Sequence, residues 1–221
     1  MLSCRSNQRK VLFLFSLSLL ILSACSESTT RYVNINDNKK NTWTQNNWLI
    51  DDFYKVYRAN DHVEQVLKKA QPYLPYIHKV FRHYKLPPQL AYLPMLESSF
   101  NAKAVSRTGA TGLWQFKKAT AVDNGLRVNR GVDDRLNWKK STWAAAQYLN
   151  KLGKRFNYNW ELALAGYNGG PTYISKKMKQ QHTWNFWNLK LRKEPHQYVP
   201  RFLAMIKVAR QKFPDLYYVR F

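Results

Sequence analysis

Residues 86–116, LPPQLAYLPMLESSFNAKAVSRTGATGLWQF, decide how this chain is read. Pro87-Pro88 open a helix, because proline is tolerated in a first turn. The helix is expected to run to Glu97, with Pro94 kinking it from inside. A loop follows over residues 98–111. A carboxyl set against apolar side chains resists ionising, so its pKa rises. Kept protonated near neutral pH, it can hand a proton to a leaving oxygen. The chain has 13 Asp and Glu against 36 Lys and Arg. Of its five glutamates (Glu27, Glu64, Glu97, Glu161, Glu194), only Glu97 ends a run this apolar.

Outward from this stretch the pattern is helical. Trp48 to Arg58 begins ordered structure. Val63, Val66, Leu67 and Ala70 recur at helical spacing behind Asp61, a candidate N-cap, until Pro72 and Pro75 interrupt. Ile77, Val80, Phe81 and Tyr84 share a face. Ser141 reads as the N-cap of a long helix with the stripe Ala144, Ala145, Tyr148, Leu149 and Leu152. Asn159 caps Trp160 to Asn168, which Gly169-Gly170 and Pro171 end. A last helix is expected over Val199 to Phe213, with Phe202, Met205, Ile206 and Ala209 aligned. No run alternates as a strand should and no repeat is present, so the class is all-α or nearly so.

The first 24 residues read as a secretory signal. Arg5, Arg9 and Lys10 precede a short apolar run, Val11 to Leu22, and Leu22-Ser23-Ala24-Cys25 closes it. That ending resembles a bacterial lipobox, which implies cleavage before Cys25 and lipid on that residue. Ser26 in the next position favours the outer membrane, facing the periplasm. Cleavage removes Cys4 and three basic residues, so the formal charge falls from +23 to +20 and no internal disulfide is possible. So basic a chain favours anionic partners. An exported lipoprotein meets wall polymer and lipid headgroups rather than nucleic acid. Residues 25–47, polar and aperiodic, read as a tether.

Chemistry has few other places to sit. His62, His78, His83, His182 and His196 lack paired ligand spacing, so no metal or other cofactor is expected. Gly109 and Gly112 lack the strand and lysine of a phosphate loop. Around Glu97, Ser98 and Ser99 can anchor the helix end, and Ser106 and Gln115 offer neutral groups suited to hydroxyls and amides. Trp114, or Tyr167-Asn168, could set an aromatic face beside a polar donor, although core packing accounts for at least one of Trp114 and Phe116.

Three ordered motifs carry a resemblance: Glu97-Ser98; residues 109–116, GATGLWQF; and residues 162–168, LALAGYN. Tyr198-Val199-Pro200 and the segment from Ala70 to Pro88 add to it. Over about residues 48–210 the chain resembles the lytic transglycosylases with the goose-type lysozyme-like fold, most of all their membrane-bound D branch. The resemblance implies a transglycosylase domain over 86–213, a helical extension over 48–85 and a short tail over 214–221. It implies that Glu97 cleaves the bond between N-acetylmuramic acid and N-acetylglucosamine in peptidoglycan, first as acid and then as base, leaving a 1,6-anhydromuramyl end. One residue can play both parts, so no second carboxylate is required. Substrate contacts are implied for Ser98, Ser106, Gln115, Lys117, Tyr167 and Asn168, with the Tyr167 hydroxyl near the acid and Asn168 supporting it. The branch usually continues Trp-Gln-Phe with Met-Pro. Lys117-Lys118 stands here instead and puts a cation where a stem-peptide carboxylate could meet it. Gly166 replaces the usual alanine, at a helix-propensity cost of about 1 kcal/mol. The branch's C-terminal wall-binding repeats are not seen, so the lipid on Cys25 and the basic surface are expected to localise the protein, as a monomer. Two alternatives stay open: a non-catalytic peptidoglycan-binding lipoprotein, and a muramidase that delivers water on the same fold.

Overall fold

Helix α9, Lys193–Lys212, is the element around which the others gather. It packs on α1 (Trp48–Arg58), α7 (Trp160–Gly169) and α2 (His62–Ala70). The computed structural model describes residue 43 and residues 46–217, all within one unit, 35–221. The signal segment, Cys25 and all of the tether except Trp43, Asn46 and Asn47 lie outside those residues.

The apolar stripes read from the sequence are the buried ones. Val63, Val66, Leu67 and Ala70 are inaccessible on α2, as are Ala145, Leu149 and Leu152 on α6, Trp138–Arg155. α3 (Leu74–His83) and the 3-10 turn Pro88–Tyr92 pack together, and α3 also meets α6. α7 lies against α6 and α8, Pro171–Gln180. A Cβ on Gly166 would come within 2.8 Å of the Phe156 ring. The glycine therefore answers a packing need and offsets its poor helix propensity.

Several details depart from expectation. Pro94 does not kink one helix: it divides the segment into the 3-10 turn and a single α-turn, α4, Pro94–Glu97. Its missing N–H removes the ladder bond that would have joined them. Asp61 makes no side-chain cap; Asn60 Oδ1 accepts from His62 N at 3.0 Å instead. α6 starts before Ser141, capped by Asn137, which accepts from Lys140 N, while Ser141 is buried. α9 starts six residues before Val199. Helices α5 (Lys118–Asp123) and α8 went unread, as did the hairpin of β1 (Val128–Asn129) and β2 (Val132–Asp133). Strands of two residues are too short to display alternation. No described helix is long and apolar enough to cross a membrane.

Candidate active site

Glu97 is the last residue of α4. Behind it Leu90, Leu93 and Met95 are buried, and the Glu97 side chain itself is half-buried. The chain then reverses through two residues in the left-handed region, Ser99 (φ 50°) and Phe100 (φ 57°). Phe100 N–H donates back to Pro94 O at 3.1 Å, and the Phe100 ring enters the core. This reversal leaves the carboxyl at the end of an apolar turn and sends the following loop back alongside it.

The loop is held by its own polar groups. Ser98 Oγ donates to Leu113 O at 2.8 Å, tying the helix end to the returning loop. Ser106 Oγ accepts from Ala110 N at 2.9 Å. Gln115, itself at φ 49°, donates its amide to Gly112 O at 2.9 Å and Ala104 O at 3.2 Å. Lys117 Nζ donates to Thr108 O at 2.5 Å. Gly112 has φ 81°, and a Cβ there would lie 2.0 Å from Arg135 O, so only glycine fits. Trp114 is fully buried, stacked on Phe81 at 5.6 Å, with Nε1 donating to Thr142 Oγ1 at 3.0 Å. It is core, as is Phe116, and neither offers a face to a ligand.

Two tyrosines from distant helices close on the carboxyl. Tyr198 of α9 donates its hydroxyl to Glu97 Oε1. Tyr167 of α7 donates instead to Trp114 O at 2.7 Å. It still feels the Glu97 charge, which, after burial, helps push its pKa well above 10.0. Tyr198 is pushed up likewise, by burial first and then by Glu97, so both hydroxyls stay protonated donors. Burial pushes Glu97 up to about 7; the Tyr198 hydrogen bond opposes this and the Glu194 charge adds to it. Among the described residues Glu97 joins no ion pair.

Glu194, exposed at the start of α9, is the neighbouring carboxylate. Asn168 Nδ2 donates to its Oε1 at 3.5 Å, while Asn168 Oδ1 is buried with no hydrogen-bond partner among the described residues. A buried acceptor of that kind is expensive unless a donor arrives from outside the protein. Sequence reasoning left Tyr198 without a role and passed over Glu194. The signal was their spacing of four, which places both on one helix face once α9 is known to start at Lys193. The fold thus gathers Glu97, Tyr167, Asn168, Tyr198 and Glu194, while Ser98, Ser106, Gln115 and Lys117 shape the adjoining loop. No described residues form a cluster able to hold a metal. The arrangement can deliver a proton from a carboxyl near neutral pH and take one back.

The family model for the transglycosylase SLT domain matches residues 75–190. Membrane-bound lytic murein transglycosylase D of Escherichia coli (strain K12) is 31% identical over 180 residues, which is 80% of this chain and 40% of that protein. Peptidoglycan transglycosylase gp16 of Escherichia phage T7 is 45% identical over 75 residues, 34% of this chain and 6% of that one. The solved structure of an inactive mutant of lytic transglycosylase Slt from Pseudomonas aeruginosa shares the fold, at TM-score 0.50 and 21% identity over 64% of this chain and 24% of that one. This chain therefore spans less than half the length of these relatives.

Proposed function

The chain belongs to the transglycosylase SLT domain family, and from that footing we propose that it cleaves the glycan of peptidoglycan without consuming water. The observation that carries this reading is a carboxyl held up at about 7 that, among the described residues, has a tyrosine for a partner and no cation in ion-pair reach. In the reaction the protonated Glu97 gives its hydrogen to the oxygen linking muramyl C1 to the next N-acetylglucosamine. The C1–O bond breaks. The resulting carboxylate takes the proton of the muramyl C6 hydroxyl as that oxygen closes on C1. Atoms balance with no second substrate, and Glu97 ends as it began, protonated. Tyr198 keeps the carboxyl oriented, and its hydrogen bond steadies the carboxylate between the two transfers. Asn168 Oδ1, buried and unsatisfied among the described residues, suits an amide N–H such as those of the acetamido groups.

Glu97→Gln tests this reading. The variant should fold as the parent does and release no product from purified sacculi. Full activity in it would end the proposal. Glu194 gives the hydrolytic alternative a specific footing, since an exposed carboxylate held by Asn168 could activate water. The product mass separates the two, because an anhydromuramyl end is lighter than a reducing end by one water.

The name of the Escherichia coli relative places that protein at a membrane. We extend membrane association to this chain and assign it to lipid on Cys25, at the periplasmic face of the outer membrane. Loss of lipid labelling in Cys25→Ala checks the assignment, and labelling that persists refutes it.

A further inference from the structure

A pocket of about 380 Å³ lies apart from Glu97, sharing no lining residue with the groups gathered there. Its volume is in the range that holds small ligands. One wall is a single face of α6. Lys140, Trp143, Ala144 and Gln147 line it, spaced three, four and seven along the helix. Ala144 is small and buried, while Trp143, 40% exposed, brings an aromatic side chain to this wall. The ring is held in place: Nε1 donates to Tyr76 OH at 3.1 Å, and the rings of His83 and Tyr84 pack steeply tilted against it at 5.3 and 6.0 Å.

The rest of the rim, with Lys140 reaching into it, is polar and cationic. Asp134 is shared by Arg127 Nε at 3.0 Å and Lys140 Nζ at 2.8 Å, so two positive charges meet one negative. Arg127 spends only its Nε and backbone N–H on Asp134, which leaves the two terminal amino groups of an exposed guanidinium unused within the described residues. The Gln147 amide likewise bonds to nothing in the protein among those residues, although it is half-buried on the pocket wall. Asn124 completes the rim, its Oδ1 accepting from Lys151 Nζ at 3.0 Å.

A fixed aromatic face beside an idle amide suits a sugar ring, and an idle guanidinium suits a carboxylate. We propose that this pocket is a second, non-catalytic site for the wall polymer, with an amino sugar over Trp143 and a stem-peptide carboxylate against Arg127. The identity of the polymer rests on the function proposed above; the site itself does not. It would hold the enzyme to the wall between cleavages and set how much polymer half-saturates it.

The test is a titration of the full chain with the disaccharide N-acetylglucosaminyl-N-acetylmuramyl-tetrapeptide, followed at the Trp143 indole N–H by NMR. That fragment lacks the bond to be cut, so nothing turns over. The Trp143 signal should move. Trp143→Ala should lower the affinity about tenfold, the loss expected for a stacked ring. Gln147→Glu, a change that breaks no bond in the fold, should lower it about fivefold by repelling the carboxylate. Both variants should cleave a short soluble glycan at the parental rate but need more intact sacculi for half-maximal rate. A Trp143 signal that stays still at saturating fragment overturns the proposal. So does parental affinity in both variants, or equal affinity for a fragment whose carboxylates are amidated. Activity surviving in Glu97→Gln would refute the catalytic reading and leave a moving Trp143 signal intact. An inactive Glu97→Gln with an unmoved Trp143 signal would refute the pocket alone.

Discussion

Glu97 and Asp134 are carboxyls set into the same strongly basic chain, and the fold treats them in opposite ways. Asp134 accepts from Arg127 and Lys140, and these bonds hold it well below the usual carboxylate range. Beside it, Arg135 reaches Asp133 with Nε and Nη2 and holds that carboxyl down too. Glu97 has no cation within ion-pair distance among the described residues, and burial lifts it to about 7. With so many lysines and arginines available, keeping one carboxyl without a cation is the more specific structural result. Apolar residues of the Pro88–Tyr92 turn and α4, together with two tyrosines, provide that exclusion. The hairpin region holds its carboxylates charged and uses them to fix the loop that carries the rest of the site.

The largest effect should come from removing the carboxyl kept uncharged. Glu97→Gln retains an acceptor for Tyr198 but cannot give up a proton, so turnover of sacculi should fall by about a thousandfold or more. A residual rate within tenfold of the parent would break the contrast between the two carboxyls. Next come changes at the seam where the two regions touch. Gly112→Ala would drive a Cβ into Arg135 O and should cost about 3 kcal/mol or more. Arg135→Ala would strand Asp133 and the carbonyls of Gly109 and Phe116, at a similar cost of about 3 kcal/mol. For a chain of this size that is a fall in Tm of roughly 6–12 °C. Thermal melts of the two variants check both, and a fall under about 2 °C would remove the hairpin from its supporting role.

The opposite shifts also give opposite pH dependences. Asp133 and Asp134, held low when folded, contribute stability that is present above their ordinary pKa of 3.8 and lost as pH falls below it. Glu97, raised when folded, contributes stability that is full below its ordinary 4.5 and lost as pH climbs through about 7. The parent should therefore lose stability relative to Glu97→Gln between those two values. Above pH 7 the difference should level off on the order of 2 kcal/mol, less than the bare shift because the side chain is only half-buried. Melts of both proteins from pH 4 to pH 9 test the sign, and parallel curves would deny the raised pKa.

Much of this was legible from residues alone, and the parts that were not share a physical cause. Stripes on α2, α6 and α9 were plain because burial selects apolar side chains at helical spacing. Glu97 was plain because it closes such a run. α8 was not, since Ile174 and Met178 are its only buried side chains and lysines occupy much of the rest. Caps were misplaced at Asp61 and Ser141 because Asn60 and Asn137, each equally able to accept an N–H, stood nearby and took the role. Tyr198 and Glu194 were given no role because the last helix was read from Val199, and the structure starts it at Lys193. Pro195 sits in the first turn, where it costs little, and Pro200 is carried inside α9 by buried neighbours on both sides. The missing information was tertiary: which of two competing local choices the core would enforce.

The finest test of the contrast is the single hydroxyl that moderates it. Burial raises Glu97, and the Tyr198 hydrogen bond is the one interaction among its causes that lowers it, because an O–H donor favours the charged form. Tyr198→Phe removes the donor and preserves the ring in the core. Two consequences follow from the same loss. The carboxyl should become harder to ionise, so the limb of the kcat/KM profile that falls with rising pH should move to higher pH. The carboxylate needed to accept the C6 proton should become less stable and less well oriented, so the rate on the plateau should drop about tenfold. A purely structural role for Tyr198 would lower activity at every pH in proportion and leave the limb where it was. A limb that moves to lower pH would mean that the hydroxyl had been stabilising the protonated acid, and the assigned direction of that hydrogen bond would be wrong.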